Sequence, residues 1–350
     1  MRRFGNTLGV AMLASAVSLG PAIAAGASED RVVFTFADEQ IDESSGLVDA
    51  GLVMHTVNDS GDDPVVYTVD KGTGETTAVT TYSGDDVDDV EALAPGRGPD
   101  VWVGDIGDNN FGRPSVDVYR VRLGASEGED EQQADRFRLT YPDAPHDAEA
   151  LLADPRTGRL YLVSKSITGG TVYRAPSRLQ AEETNQLTAV ANVSGLVTDG
   201  AFFPDGRHLL LRSYGNAALY TFPAFEQVGR VSLPPQEQGE AVAIDEQGRI
   251  YLSSEGANSD VLEIDLPVAL RAAVQGRSPS PSPDGGGDGR GDGRGDTADP
   301  GSRAEERPDE AADDGADDGP GVWIAAGVAA VALVGWVLFT ASRPRTRRTR

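Results

Sequence analysis

The sequence has no cysteine and only three histidines, and its 30 basic residues are outnumbered by 56 acidic ones. The absence of cysteine excludes disulfide bonds, thiolate nucleophiles and cysteine-ligated metal sites. No HExxH zinc motif, nucleophile elbow, P-loop or dinucleotide fingerprint is present. A formal net charge of −26 argues against nucleic acid as a partner. The chemistry that remains is that of oxygen ligands and of the cations or basic partners that they bind.

The amino-terminal segment, residues 1–27, combines a basic start, an apolar middle and an exit of small residues. This pattern predicts a secretory signal peptide that is cleaved after Ala24 or Ala27. A first transmembrane helix is the alternative interpretation. Serine, glycine and proline interrupt the apolar run, which favours cleavage. We therefore expect the rest of the chain to be exported.

The carboxy-terminal part of the chain predicts a membrane anchor. Residues 321–341 contain no charged side chain, and at ~1.5 Å per residue a helix of this length crosses one hydrocarbon core. Residues 342–350 carry an arginine cluster, which stays in the cytoplasm. The preceding residues 277–320 are rich in Gly, Pro and Asp and predict a disordered acidic linker. We expect a single-pass protein of the cell membrane with its folded domain outside.

Between residues 31 and 270, one pattern recurs five times at intervals of roughly 40 to 58 residues. Each copy holds a short apolar strand, a turn marked by Gly or Asp, an alternating strand, a polar loop and a third strand. The copies read ESSGLVDAGLVMHTVNDSGDDPVVYTVD, DVEALAPGRGPDVWVGDIGDNNFGRPSVDVYRV, DAEALLADPRTGRLYLVSKSITGGTVYRA, TDGAFFPDGRHLLLRSYGNAALYTF and GEAVAIDEQGRIYLSSEGANSDVLEIDL. A fourth strand follows each of the first four copies, as ETTAVTTY, DRFRLTY, LTAVANV and QVGRVSL.

The fifth copy lacks a fourth strand, because no strand pattern follows Leu266 before the linker. A lone strand pattern, RVVFTFA at Arg31 to Ala37, precedes the first copy. We predict that this strand completes the last blade and closes an all-β, five-bladed β-propeller that is monomeric. A six-bladed ring with one degenerate blade is the second interpretation, and an open β-sandwich is the third.

Several of these words also resemble those of a known family. Exported bacterial WD-repeat-like β-propellers of uncharacterised function contain similar motifs, over essentially residues 40–266. The motifs in this chain are NDSGD, GDIGDN, EALLADPRTGRLYLVSK and FFPDGRHLLLRSY. More distantly, the set resembles phytase-like and lactonase-like propellers. That resemblance implies a central channel that holds calcium. The first copy departs from the family pattern, with extra residues between His55 and Asn58.

The acidic residues fall at equivalent places of the repeat. In a propeller, the first strand of each blade lines the channel and the second runs antiparallel to it, so the start of the first and the end of the second reach one face. Aligned on Leu47, Leu93, Leu151, Phe202 and Val242, the copies place Ser45, Glu91, Glu149, Gly200 and Glu240 two positions earlier. Asp89 and Asp147 stand two positions before Glu91 and Glu149. We predict that these carboxylates share one mouth of the channel.

Converging carboxylates repel one another unless they are protonated, paired with cations or bound to a metal. A set of oxygen ligands favours calcium over transition metals. We therefore predict a calcium site, with its ligands drawn from Glu91, Glu149, Glu240, Asp89 and Asp147. The alternative is that the glutamates accept hydrogen bonds from backbone amides of neighbouring blades, with no metal.

The same mouth should receive the residues that end the second strands. The candidates for ligand binding are Asp59, Asp105, Asp108, His146, Lys165, Arg212, Tyr214 and Glu255. Three functions are open. The first is a cell-surface module that binds an envelope or extracellular ligand. The second is a calcium-dependent hydrolase of phosphate, lactone or ester substrates. The third is a structural envelope protein. The fold alone does not decide among them, and no catalytic residue can be named.

Overall fold

The computed structural model describes residues 23–27, 30–59, 63–83, 87–124 and 128–276. They form 23 strands and one short helix. The elements are β1 (Ile23–Ala27), β2 (Asp30–Thr35), β3 (Ser44–Ala50), β4 (Val53–Asn58), β5 (Val65–Asp70), β6 (Thr76–Tyr82), β7 (Val90–Pro95), β8 (Asp100–Asp105), β9 (Val116–Arg122), β10 (Gly128–Gln132), β11 (Asp135–Thr140), β12 (Ala148–Ala153), β13 (Leu160–Ser164), β14 (Thr171–Arg174), β15 (Asn185–Gln186), β16 (Thr188–Asn192), β17 (Asp199–Phe202), β18 (His208–Ser213), β19 (Asn216–Thr221), β20 (Gln227–Ser232), β21 (Gly239–Ile244), β22 (Ile250–Ser254), β23 (Asp260–Ile264) and α1 (Val268–Val274).

The strands form five antiparallel four-stranded blades, some of which carry an additional outer strand. From the channel outwards, blade 1 is β3-β4-β5-β6, blade 2 is β7-β8-β9-β11, blade 3 is β12-β13-β14-β16, blade 4 is β17-β18-β19-β20, and blade 5 is β21-β22-β23-β2. The innermost strands contact one another in a closed circle, β3 to β7, β12, β17, β21 and back to β3. The prediction of an all-β, five-bladed propeller is therefore confirmed.

The ring is closed by β2, which corresponds to the strand that the sequence predicts at Arg31 to Ala37. Strand β2 pairs antiparallel with β23, from Asp30 opposite Ile264 to Thr35 opposite Asp260. An ion pair of 2.6 Å between Arg31 and Glu263 supports the pairing. Because β2 precedes blade 1 in the chain and completes blade 5, it ties the two ends of the ring together.

Each pair of neighbouring blades encloses its own apolar core. Five such clusters are present among the described residues, and together they complete the circle. Inner strands are buried on both faces, as in β12 and β13, where every residue is buried. Outer strands alternate, as in β11, where Phe137 and Leu139 are buried between polar neighbours. This decrease in burial from the inner to the outer strands explains why the inner strands have continuous apolar sequences and the outer ones have alternating patterns.

Three blades carry a fifth strand that the repeat pattern does not predict. Strands β10, β15 and β1 add in parallel to the outer edges of β6, β11 and β20. Strand β1 comprises the last five residues of the predicted signal peptide. Helix α1 follows blade 5 and buries Leu270 in the core between blades 4 and 5.

Two predicted segments lie outside the described residues. These are the first 22 residues of the signal peptide and the whole of residues 277–350, which hold the predicted linker, membrane helix and basic tail. Within the described part of the chain, no helix combines the length and the apolar character that a membrane crossing needs.

The inner strands approach closely enough to require glycine at one position. A Cβ added to Gly46 in β3 would lie 2.3 Å from the backbone nitrogen of Leu93 in β7. We expect Gly46→Ala to lower the free energy of unfolding by about 3 kcal/mol, because backbone must shift to admit the methyl group. Gly215→Ala is the matched control, since a Cβ there meets nothing within 4 Å. Urea denaturation of both variants checks this, and equal midpoints would contradict the inferred contact.

Candidate functional site

The channel mouth is built by a β-bulge that recurs in the innermost strands. The pairing with the second strand shifts between Ser44 and Gly46, Val90 and Ala92, Ala148 and Ala150, and Gly239 and Val242. The residues inside these shifts include Ser45, Glu91, Glu149 and Glu240. A bulged residue leaves the ladder and its side chain is re-aimed. The predicted ring positions of blades 1, 2, 3 and 5 are thus equivalent in the structure.

Blade 4 departs from the alignment that the sequence suggests. Its register runs without a shift from Asp199 opposite Arg212 to Gly200 opposite Leu211. Gly200 is therefore equivalent to Ala150, which lies opposite Val163, and not to Glu149. Placing Gly200 in the glutamate ring was wrong by one residue, because the sequence does not reveal that the bulge is missing here.

Five carboxyl groups converge at the mouth. Oxygen atoms of Asp59, Asp89 and Glu91 lie within 4.8 Å of one another, and so do those of Glu91, Asp147 and Glu149. Glu91, Asp147 and Glu149 are buried, whereas Asp59 and Asp89 are partly exposed. Glu91 belongs to both groups and stands between them.

Glu91 is the most unusual of these groups. Its residue is 3% exposed, and no described residue donates a hydrogen bond to its carboxylate. Burial raises the pKa of Glu91 well above its ordinary value, and the nearby charges of Asp59 and Glu149 raise it further. A largely buried anion without a donor is costly, and a proton or a nearby cation would offset this cost.

A glycine makes room for this carboxylate. A Cβ added to Gly107 would lie 2.4 Å from Asp89 Oδ2 and 2.6 Å from Glu91 Oε1. Gly107 is the glycine of the DIGDNN motif. Because it has no side chain, the carboxylates of Asp89 and Glu91 can lie against its backbone. From the sequence, GDIGDN was recognised only as part of the family resemblance, and the role of this glycine was not identified.

The acids of that word shape the loop. Asp108 accepts hydrogen bonds of 2.8 Å from the backbone N–H groups of Gly112 and Arg113. Asp105 is fully buried and forms a 2.7 Å ion pair with Arg113, which the sequence analysis also missed. Burial raises the pKa of Asp105 although Arg113 opposes the shift. The backbone N–H of Asp108 in turn donates to Asp147 Oδ1 at 2.9 Å, which holds that carboxylate in place.

One lysine enters the cluster from blade 3. Lys165 Nζ lies 2.6 Å from Glu149 Oε1, and its side chain is 12% exposed. Burial alone would lower the pKa of Lys165, but the negative charges of Glu149 and Glu240 outweigh it, so the net shift is upward. Burial raises the pKa of Glu149 to about 8 although Lys165 opposes the rise. The lysine is therefore a permanent cation of the mouth.

Glu240 and Glu255 extend the acidic mouth into blade 5. Oε2 of Glu240 is buried and has no hydrogen-bond partner among the described residues. Burial and the charge of Glu149 raise the pKa of Glu240 well above its ordinary value. Gln238 donates to Glu255 and, at 3.3 Å, to Glu240. Burial and the charge of Asp59 raise the pKa of Glu255 to about 8.

Arg212 and Tyr214 come from the end of the second strand of blade 4. Arg212 is completely buried and donates hydrogen bonds to the carbonyl oxygens of Ala241 and Ser253 in blade 5. Burial lowers its pKa to about 10. Its guanidinium therefore joins two blades. The ring of Tyr214 lies 5.9 Å from Lys165 Nζ, which places it beside the cluster.

The three histidines have partners that do not belong to the carboxyl cluster. His146 Nε2 lies 2.7 Å from the hydroxyl oxygen of Tyr173 and 3.1 Å from Asp143 Oδ2. His55 bonds Thr68 at 3.0 Å, and burial lowers its pKa to about 4. His208 bonds Asp205 at 2.6 Å. Although His146 neighbours Asp147 in sequence, its ring packs among aromatic residues.

Below the acidic layer, a cavity of about 1520 Å³ opens towards the opposite face and has both apolar and charged lining residues; the apolar ones include Leu47, Leu93, Leu151 and Val242. These are residues on which the repeats align in sequence.

No protein-family model and no curated protein matches this sequence. The solved structures that are similar in fold include the following two. The crystal structure of a glucose dehydrogenase shares 11% identity at a TM-score of 0.44 and covers 68% of this chain and 99% of its own. The soluble aldose sugar dehydrogenase from Escherichia coli, in its apo form, shares 11% identity at a TM-score of 0.42, with the same coverage. Similarity at this level says nothing about a substrate or a cofactor of the present chain.

Proposed function

We propose that this propeller is a ligand-binding module whose acidic mouth is organised by a bound calcium ion. Glu91 would be the central ligand, with further ligands from the predicted set Asp89, Asp147, Glu149 and Glu240 and from Asp59. The signal peptide and the membrane helix that the sequence predicts would place this module on the cell surface, where free calcium is abundant.

The observation that carries the proposal is the state of Glu91. Its carboxylate is buried, receives no hydrogen bond from the described residues and shares its surroundings with four other carboxyl groups. In the alternative interpretation, backbone amides of neighbouring blades would donate hydrogen bonds to this glutamate. No backbone N–H of the described residues donates to the Glu91 carboxylate. A cation would supply the missing partner and would reduce the repulsion between the carboxylates.

Calcium fits this donor set better than other common metals. All candidate donors are carboxylate oxygens, and calcium takes six to eight oxygen ligands at about 2.3–2.6 Å. Two oxygens on opposite sides of such an ion are about 5 Å apart, and the oxygens of each group lie within 4.8 Å of one another, so one ion could contact all three. Asp59 and Asp89 are partly exposed. An ion beside them would keep positions open to an oxygen-bearing ligand from outside.

Calorimetry and thermal unfolding of the full chain test the proposal, using protein that has been stripped with EGTA and kept in mild detergent. Calcium chloride should bind and raise the melting temperature, because a ligand of the folded state adds roughly 2.7 kcal/mol at a hundredfold excess over Kd. Glu91→Gln should abolish both effects. Asp245→Asn is the control, since Asp245 is 3% exposed but pairs with Arg249 instead. An unchanged melting temperature in the parent would refute the proposal.

A calcium-dependent hydrolase is the second candidate. The observation in its favour is that the pKa values of Glu149 and Glu255 are raised to about 8, which suits a general base near neutral pH. Hydrolysis of phosphate, lactone or ester model substrates that requires calcium and is lost in Glu149→Gln would favour this function. Calcium binding without turnover would favour the binding module, and no binding at all would favour the structural role.

A further inference from the structure

Lys165 lies where a second cation of the mouth would lie. Glu91 belongs to both clusters of three carboxyl groups. In the second cluster, Lys165 Nζ lies 2.6 Å from Glu149 Oε1. An ammonium group at this distance from a carboxylate neutralises it as a metal ion would. The mouth therefore offers two cation positions that lie side by side.

The elements of blade 3 hold the ammonium in its position. Lys165 directly follows β13, and its backbone N–H donates to the carbonyl oxygen of Asp147 at 2.8 Å. Its side chain is 12% exposed and lies 5.9 Å from the ring of Tyr214 in the next blade. The charges of Glu149, Glu240 and Glu91 all act on it. The ammonium therefore interacts with carboxylates of blade 3 (Glu149) and blade 5 (Glu240), on one side of the channel axis.

The other side of the axis has a different composition. Asp59 comes from blade 1, and Asp89 and Glu91 come from blade 2. Their oxygens lie within 4.8 Å of one another, and Gly107 leaves the space that two of the carboxylates occupy. The nearby Arg113 forms its ion pairs with Asp105 at 2.7 Å and Asp88 at 4.0 Å. Glu91 is 3% exposed and accepts no hydrogen bond from a described residue, and its carboxylate belongs to the group of three at this position.

We infer that the mouth is a double cation site in which the Lys165 ammonium permanently fills the position at Asp147 and Glu149, while a single calcium ion occupies the position at Asp59, Asp89 and Glu91. This inference rests on the proposed function. Glu91 is the shared ligand, so its carboxylate lies between the metal ion and the ammonium. The lysine limits the site to one metal ion and keeps that ion on the side of blades 1 and 2.

The test is the stoichiometry of calcium binding, measured by calorimetry and by equilibrium dialysis on the full chain. The wild type should bind one calcium ion per chain at this mouth, and Lys165→Met should bind two. Lys71→Met is the matched control, because Lys71 is also 12% exposed and also pairs with an aspartate, Asp49. It should keep the wild-type number. Adding Asp147→Asn to Lys165→Met should remove the second ion but not the first.

Each result separates the inference from the proposed function. Two ions in the wild type, or one ion in a folded Lys165→Met variant, would overturn the double site and leave the calcium module intact. No ion in either protein would overturn both. Circular dichroism establishes that the variant is folded. If Lys165→Met does not fold, Lys165→Gln replaces it, because the amide removes the charge and can still donate a hydrogen bond to Glu149.

Discussion

A chain that begins at Glu39 is expected to lose its cooperative folded state at physiological temperature. Such a chain lacks β2, which supplies the fourth strand of blade 5 and ties it to the start of the ring. It also lacks Phe34 and Phe36, which are 6% and 0% exposed in the core between blades 5 and 1. Loss of one buried phenylalanine costs about 3–5 kcal/mol, and a domain is stable by only about 5–15 kcal/mol. Thermal unfolding followed by circular dichroism measures the effect.

The control for this truncation is a chain that begins at Ser28. It removes the parallel strand β1 from the edge of blade 4 but keeps β2, so it should melt close to the full chain. Point variants give a finer comparison. Phe36→Ala should cost about 3–5 kcal/mol. Val32→Ala should change stability by less than about 0.5 kcal/mol, because Val32 is 52% exposed. If the chain from Glu39 melted within a degree of the chain from Ser28, the closure by β2 would contribute nothing.

The calcium-free protein is expected to lose stability as the pH rises from 6.5 to 8. Burial raises the pKa values of Glu149 and Glu255 to about 8, so in this interval the carboxyl groups of the mouth hold more protons in the folded state than in the unfolded state. The folded state is therefore penalised increasingly up to pH 8. Each mouth carboxyl whose pKa is raised in this way contributes a loss of the same sign, up to about 1.36 kcal/mol per pH unit. Urea denaturation in EGTA at several pH values measures the loss.

Other acidic groups act in the same direction in this interval, because the pKa of Glu255 is also raised to about 8 and those of Glu91 and Glu240 are raised well above their ordinary value. Burial lowers the pKa of His55 from 6.5 to about 4, so its effect on stability has the opposite sign but is complete by pH 6.5. The raised pKa of Lys165 acts only above its ordinary value of 10.5. Glu149→Gln should make the pH profile shallower without abolishing it, because Glu255 still titrates. Saturating calcium should also make it shallower, because the Asp59, Asp89 and Glu91 carboxylates that would bind the ion are then already deprotonated. A wild-type stability that rises towards pH 8 without calcium would contradict this account of the mouth.

The sequence by itself determined the architecture and the face on which the acids lie. Five copies of a strand and turn pattern predict five blades, because hydrophobic alternation and turn chemistry are local properties of the chain. The lone strand at Arg31 to Ala37 predicts the closure, because the fifth copy is one strand short. Antiparallel strands bring the start of the first and the end of the second to one mouth, which is why Glu91 and Asp59 could be expected on the same face.

Only the tertiary structure decided which of these groups meet and how they are balanced. The register of blade 4 excludes Gly200 from the ring, because a bulge depends on hydrogen bonds between strands and leaves no mark in the sequence. The approach of Lys165 to Glu149, and the space that Gly107 leaves for Glu91, result from side chains of different blades packing around one axis. Strand β10, the acidic segment GEDEQ, joins blade 1 although it follows a strand of blade 2. Its pairing uses backbone groups at an open edge, and such pairing requires no particular side chains.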